Sequence, residues 1–261
     1  IQHVQRGWGF LRGEFGEFVE LIPAQQRLDR PEWYAGTADA VYQSLDIILA
    51  HRPRYVLVLA GDHVYKMDYG AMIARHVEAS AVMTVGCVEM PLAMASALGV
   101  MAVDGEDLVQ RFSEKPACPT PLPDDPERAL VSMGIYVVET DYLVEALRQD
   151  AGRSGSRRDF AADIIPSAIA RHRVAAYRFR DPDTGAQPYW RDVGTVDAFF
   201  EANQELVSDA PELDLHDEAW PIWTYQAQLP PAKFISLGGA GGIRHGVAMG
   251  SMVSGGDIIA G

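Results

Sequence analysis

The first 200 residues predict an α/β domain with a mixed, mostly parallel sheet and helices on both of its faces. Three observations carry this. Short apolar runs of strand length recur at 55–60 (YVLVLA), 81–88, 130–138 and 174–179. Segments with apolar residues at helical spacing stand between them, several behind a capping residue. The two kinds of segment alternate, as crossover connections between strands of one sheet require.

Taken in order, Thr37 is placed to cap a helix carrying Val41, Leu45, Ile48 and Leu49 on one face, with Asp39 in its first turn complementing the helix dipole. The run at 55–60 reads as a strand buried on both faces. Asp68 caps a second helix whose inner side is Met72, Ile73, His76 and Val77. Residues 81–88 form the next strand. Residues 100–103 and 108–112 flank Asp104-Gly105-Glu106-Asp107, a hairpin signal. After the strand at 130–138, Thr140 opens a helix to about Asp150. A polar stretch at 152–158 leads to a helix over 159–171 with Pro166 as a point of bending. Thr195 caps the last helix, with Val196, Phe199, Phe200 and Leu206 directed inward.

Composition shifts after residue 208. Residues 209–235 hold four prolines together with Trp220 and Trp223, the pattern of an extended, packed linker. Residues 236–261 contain nine glycines, and Val247, Val253 and Ile259 recur every six residues. A six-residue apolar period predicts the start of a left-handed parallel β-helix, against the plainer reading of a glycine-rich tail. The predicted organisation is a domain at 1–208, a linker at 209–235 and a β-helix opening at 236–261.

A 261-residue chain with 48% hydrophobic and 22% charged residues buries a full core without staples. A net charge of −14 argues against general nucleic-acid binding, and no apolar run reaches the length of a membrane helix. Two cysteines, Cys87 and Cys118, form neither a disulfide framework nor a metal pattern, which points to a reducing cytoplasm. The chain begins at Ile1 without methionine and ends inside an unfinished segment, so it is read as a fragment.

Four strings carry candidate chemistry. Leu59-Ala60-Gly61-Asp62-His63 closes a strand, where open α/β sheets bind ligands. Asp62 there can hold a divalent cation or cap a turn. In Phe112-Ser113-Glu114-Lys115-Pro116, Lys115 suits a phosphate and Glu114 a sugar diol. The two face opposite ways unless the strand bends at the proline, and a solvated strand end is the competing reading. Tyr189-Trp190-Arg191-Asp192-Val193-Gly194-Thr195 offers a second strand-end carboxylate and an aromatic face for a sugar ring, or simple packing. Trp33-Tyr34-Ala35-Gly36-Thr37-Ala38-Asp39 places small residues at a helix start, where free backbone N–H groups can read a base or a phosphate.

The order of these strings is more specific than any one of them. VQRGW at 4–8, Gln25-Gln26-Arg27, WYAGTADAV, VLAGDHVYKMDY, FSEKP, SMGIYV, DFAADIIP, PYWRDVGT and the Pro-Pro-Ala-Lys-Phe of 230–234 together resemble the bacterial ADP-glucose pyrophosphorylases. The resemblance runs nearly the length of the chain. It implies a Rossmann-like (GT-A-like) nucleotidyltransferase domain that transfers AMP from ATP to α-D-glucose 1-phosphate, giving ADP-glucose and pyrophosphate for glycogen synthesis. It implies Mg²⁺ on Asp62 and Asp192, and Lys115 on the sugar phosphate, these three being the catalytic set. It implies a glucose 1-phosphate pocket of Glu114, Lys115, Ser132, Tyr136, Asp159, Phe160 and Trp190, and a nucleotide side at Tyr34, Gly36 and Thr37. A cytoplasmic homotetramer is implied for the full-length protein.

The family's N-terminal glycine-rich phosphate loop, and the basic residues it brings to the pyrophosphate, have no counterpart in this chain. Its β-helix continues for further coils. The chain is therefore expected to be an incomplete copy, truncated at both ends, of an enzyme that works at full length. Competing expectations are a sugar nucleotidyltransferase using UTP, dTTP or GTP, and a non-catalytic regulatory subunit. Retention of Asp62, Asp192 and Lys115 weighs against the second.

Overall fold

A computed structural model describes residues 2–23, 33–208, 210–225, 228, 233–236 and 257–260. Its elements in chain order begin with α1 (Gln2–Gly7), a 3₁₀ turn (Gly13–Phe15), α2 (Thr37–Gln43), α3 (Leu45–Ala50), β1 (Tyr55–Val58), β2 (His63–Tyr65) and α4 (Tyr69–Glu78). Next come β3 (Met83–Pro91), α5 (Leu92–Ala95), β4 (Gly99–Val103), β5 (Val109–Glu114), β6 (Arg128–Glu139) and α6 (Thr140–Ala151). A π-helical turn (Phe160–Ile164) precedes α7 (Ile165–Ile169), followed by β7 (Val174–Arg178), β8 (Trp190–Asp192), α8 (Val196–Leu206), β9 (Lys233–Ser236) and β10 (Asp257–Ala260). The chain divides into two compact units, one of residues 22–190 and one of residues 1–21 with 191–261.

The larger unit is built on a six-stranded sheet in the order β5-β4-β6-β3-β7, with β1 also paired to β6. The 12-residue β6 is the axis of the sheet. β3 lies antiparallel along one edge of it, and β4 and β1 occupy successive stretches of the other. β3 and β7 are parallel. Four strands (β1, β3, β4 and β7) therefore point the same way, while β5 and β6 run against them. The mixed sheet is as expected, and the one long reversed strand makes most hydrogen-bonded neighbours antiparallel.

Alternation along β6 separates two cores. Leu130, Tyr136 and Val138 face a layer made by α2, α3, α6, the π-helical turn and α7, through Ala38, Leu45, Leu143, Leu147, Phe160, Ile165 and Ala168. Val131, Met133, Ile135 and Val137 face the other layer, with Met72 of α4 and Ala95 of α5. Helices thus cover both faces.

Several local expectations change. Thr37 is the first residue of α2, not its cap; Gly36 holds that position, and the helix breaks at Ser44 before α3. β1 is half-buried, because it pairs along one edge only among the described residues. Val77 is exposed whereas Met72 and His76 are buried. The helix predicted over 159–171 widens to a π turn ahead of Pro166. Asp68 does cap α4 by accepting from the Gly70 N–H, and Asp159 caps its turn by accepting from Ala161 and Ala162.

In the smaller unit, α1 and its continuation pack on residues 223–225. Arg6 donates to the Tyr225 hydroxyl at 3.1 Å and lies over its ring, and Phe10 meets Trp223 at 5.2 Å between centroids. The VQRGW string and the linker aromatics therefore form one cluster, and Gly7 admits the backbone of Tyr225 at a distance where a Cβ would stand 3.0 Å from its nitrogen. Thr195 caps α8 as expected. Its apolar stripe is not inward, since Val196, Phe199 and Phe200 are exposed and Ala202 is the residue it buries. β9 and β10 pair in parallel, Lys233 opposite Asp257. Val247 and Val253 of the predicted six-residue period lie outside the described residues, as do Gln25, Gln26 and Arg27.

Candidate functional site

The expected pocket residues of the larger unit gather at β5, β6 and the turn after residue 158. β6 carries the feature that assembles them. Opposite β3, Tyr136 pairs with Val85 and Ser132 with Cys87, so four steps on β6 match two on β3. The surplus is a bulge around Gly134, which has φ +69°. Residues four apart on a regular strand stand about 13 Å apart, and the bulge contracts this toward the spacing of an i, i+2 pair. Tyr136 and Ser132 consequently come within hydrogen-bonding reach. The Gly134 N–H donates to Ser132 Oγ at 3.2 Å.

Phe160 stacks on Tyr136 with centroids 5.4 Å apart and planes at 26°. Burial pushes the Tyr136 hydroxyl up to about 12; the Ser132 hydrogen bond opposes this, and the charges of Asp159 and Glu114 reinforce it. Glu114 is also raised from its ordinary value, by burial first and then by Asp159, against the pull of Lys115 and Arg157. Glu114, Lys115, Ser132, Tyr136, Asp159 and Phe160 thus form one neighbourhood.

The bend expected at the proline falls one residue before it. β5 ends at Glu114, and Lys115 adopts φ +46°, so the chain turns there and the two need not oppose one another. Lys115 is exposed, and its N–H donates to the Leu98 carbonyl at 3.1 Å. Gly99 pairs with Glu114 across the hairpin, where a Cβ would stand 3.0 Å from Glu114 Oε2 and 2.4 Å from the Phe112 ring. Gly99 thereby makes room for the carboxylate.

The segment at 33–39 is tied to the same turn. The N–H groups of Ala38 and Asp39 donate to the Arg158 carbonyl at 2.9 and 3.2 Å. These N–H groups, expected to be free, are occupied by the protein itself. Gly36 permits the approach, since a Cβ there would lie 2.4 Å from that oxygen. The Thr37 hydroxyl donates to Asp159 Oδ2 at 2.9 Å and accepts from the Phe160 N–H at 3.1 Å. Tyr34 is half-buried in the loop before them.

Asp62 follows β1 with its side chain 62% exposed, 3.5 Å from His63 Nε2. His63 is wedged between the Gly134 bulge, where a Cβ would stand 3.1 Å from its Cε1, and the ring of Trp190 at 5.0 Å. Trp190 thus joins the second core layer, on the side of the sheet away from Tyr136 and Phe160. Its indole N–H is buried and finds no acceptor among the described residues. Asp192 belongs to the smaller unit, where its Oδ1 accepts the Gly194 N–H at 2.9 Å.

Sequence reasoning missed Gly99, Gly134, Arg157 and Arg158. The glycine inside an apolar strand run (SMGIYV) was an available sign of a bulge. The approach of Arg158 to Gly36 is a tertiary contact without a local signal.

Two carboxylates, a lysine and a stacked pair of aromatics are thus gathered where β5 ends beside the bulge of β6. Residues 2–209 match the nucleotidyl transferase family, and the chain belongs to that family. It is 70% identical to "Glucose-1-phosphate adenylyltransferase 1" of Alkalilimnicola ehrlichii, over the whole of this chain and 61% of that protein. It is 58% identical to the glucose-1-phosphate adenylyltransferases of Methylococcus capsulatus and Nitrosococcus oceani, again over the whole chain and 61% of each. The chain thus spans about three fifths of the length of these curated relatives.

Proposed function

We propose that the protein containing this chain is a glucose-1-phosphate adenylyltransferase. A phosphate oxygen of glucose 1-phosphate attacks the α-phosphorus of ATP, a new P–O bond forms, and the bond to the departing pyrophosphate breaks. The observation that carries the reading is the neighbourhood of Glu114, Lys115, Ser132, Tyr136, Asp159 and Phe160 around the Gly134 bulge. The relatives' names supply the substrate pair.

In this reading the sugar lies against Tyr136 and Phe160. Glu114 and Asp159 accept from its hydroxyls, and Lys115 neutralises its phosphate. The nucleotide is assigned to the side of Tyr34, Gly36 and Thr37. Holding both substrates in line converts a bimolecular encounter of two anions into a positioned one.

The chemistry of Asp62 fits a divalent cation: an exposed carboxylate at a strand end offers the hard oxygen donor that Mg²⁺ takes. Asp192 is assigned as the second ligand. Such an ion, when bound, supplies charge neutralisation at the reacting phosphates. Residues 236–261 are assigned to the start of a β-helix, which the parallel pairing of β9 and β10 supports. A cytoplasmic homotetramer is the assembly assigned to the full-length protein; no helix among the described residues is long and apolar enough to cross a membrane.

The test is a substrate panel on the full-length protein. ATP, UTP, dTTP and GTP are offered with glucose 1-phosphate and Mg²⁺, and products are identified by mass. ADP-glucose formed in clear preference is the expected result. Equal or better turnover with UTP or dTTP would overturn the choice of nucleotide, and no nucleotide sugar at all would overturn the reaction.

A further inference from the structure

Thr37 stands on the segment assigned to the nucleotide, yet its hydrogen bonds go elsewhere. Its hydroxyl proton is given to Asp159 Oδ2 at 2.9 Å, and its oxygen accepts the Phe160 N–H at 3.1 Å. The N–H groups of the two residues after it are taken by the Arg158 carbonyl. The other Asp159 oxygen, Oδ1, accepts from Ala161 and Ala162, both at 2.9 Å. Asp159 is thus held by both oxygens. What remains for a ligand is the second lone pair of Oδ2, and Thr37 is the group that holds that oxygen. The same hydroxyl fixes the backbone of Phe160, whose ring stacks on Tyr136.

We propose that Thr37 is a positioning residue for the sugar side of the site: through Asp159 and Phe160 it orients the acceptor and the wall that receive glucose 1-phosphate. This rests on the reading of those two residues as part of the sugar-phosphate pocket. The Thr37 hydroxyl gives its proton within the protein and not to the nucleotide assigned to that segment. The Thr37 hydroxyl joins the two halves of the site directly, beside the backbone bonds from Ala38 and Asp39 to Arg158, so a displacement of residues 33–37 reaches Asp159 and Phe160.

The experiment is steady-state kinetics of Thr37→Val and Thr37→Ser in the full-length protein, with both substrates varied. One lost hydrogen bond to a charged acceptor corresponds to roughly a ten- to hundredfold effect. Thr37→Val is expected to raise the KM for glucose 1-phosphate by that factor while the KM for ATP stays within about twofold. Thr37→Ser, which keeps the hydroxyl, is expected to restore it. Amide exchange at Phe160 should quicken in the valine variant and not in the serine variant, a readout independent of turnover. Should the valine variant fail to fold, Thr37→Ala takes its place.

A rise in the KM for ATP equal to or above that for the sugar phosphate, or no change in either, would overturn the proposal. So would a serine variant as impaired as the valine one. An inactive wild type would instead overturn the reaction on which it rests.

Discussion

The guanidinium of Arg158 donates to the carboxylate of Asp39 at 3.0 Å, while the carbonyl of the same arginine accepts the Asp39 N–H. One residue thus holds both the side chain and the backbone of the other. The Asp39 side chain is 2% exposed and that of Arg158 31%, so the pair sits at the edge of the core. Asp39 also accepts from the Ala35 N–H and from Gln43. Arg158 adopts φ +55°, a conformation costly for an arginine and held by this double attachment.

Asp39→Asn is expected to destabilise the protein by about 2 kcal/mol near neutral pH, because Arg158 loses a charged partner. Burial works to raise the Asp39 carboxyl, but its hydrogen bonds from Ala35, Gln43 and Arg158 outweigh it and hold the group below its ordinary value of 3.8. A depressed folded-state value contributes stability that is complete above that ordinary value and lost as pH falls through the folded one. The gap in thermal midpoint between wild type and variant should therefore be full at pH 6–7 and close below about pH 4. A gap that persists unchanged in acid would remove the charge from the explanation.

Gly134→Ala should be harmful in two ways. At φ +69° a side chain costs about 1–2 kcal/mol, and the added Cβ would stand 3.1 Å from His63. Relaxation of the bulge would also separate Ser132 from Tyr136. A lowered thermal midpoint together with a raised KM for glucose 1-phosphate is expected. A variant with wild-type values of both would show that the bulge does not shape the pocket.

Asp62→Asn keeps the size of an exposed side chain at the end of β1, so its thermal midpoint is expected to stay within a degree or two. An interaction made chiefly in the transition state shows in kcat, where a fall of roughly a hundredfold or more is expected. Calorimetry beside initial rates separates the outcomes. A folded variant with near-normal kcat would take Asp62 out of the chemistry.

Much of the sheet was legible because alternation and caps are local. Asp68 and Thr195 cap where a short polar side chain precedes an apolar period, and the hairpin at 104–107 forms where its turn residues stand. The errors came from tertiary context. Thr37 has the side chain of a cap, but the carbonyl of a residue more than a hundred positions away does the capping. Phe199 and Phe200 follow a helical period and are exposed all the same, since a period shows that a stripe exists and not what covers it. At the site, the residue types were readable in Glu114, Lys115, Asp159 and Phe160. Their convergence depends on a bulge at Gly134 and on the turn at Lys115, both backbone features with weak sequence signals.

The central claim is that the face formed by the end of β5 and the Gly134 bulge of β6 binds the phosphate and ring of glucose 1-phosphate. Lys115→Ala in the full-length protein tests it most directly, because this lysine is exposed and its truncation opens no core. A charge-assisted contact to phosphate corresponds to about a ten- to hundredfold change in binding. The account predicts a rise of that size in the KM for glucose 1-phosphate, with the KM for ATP within about twofold of wild type. Both constants unchanged, or a rise confined to ATP, would contradict it.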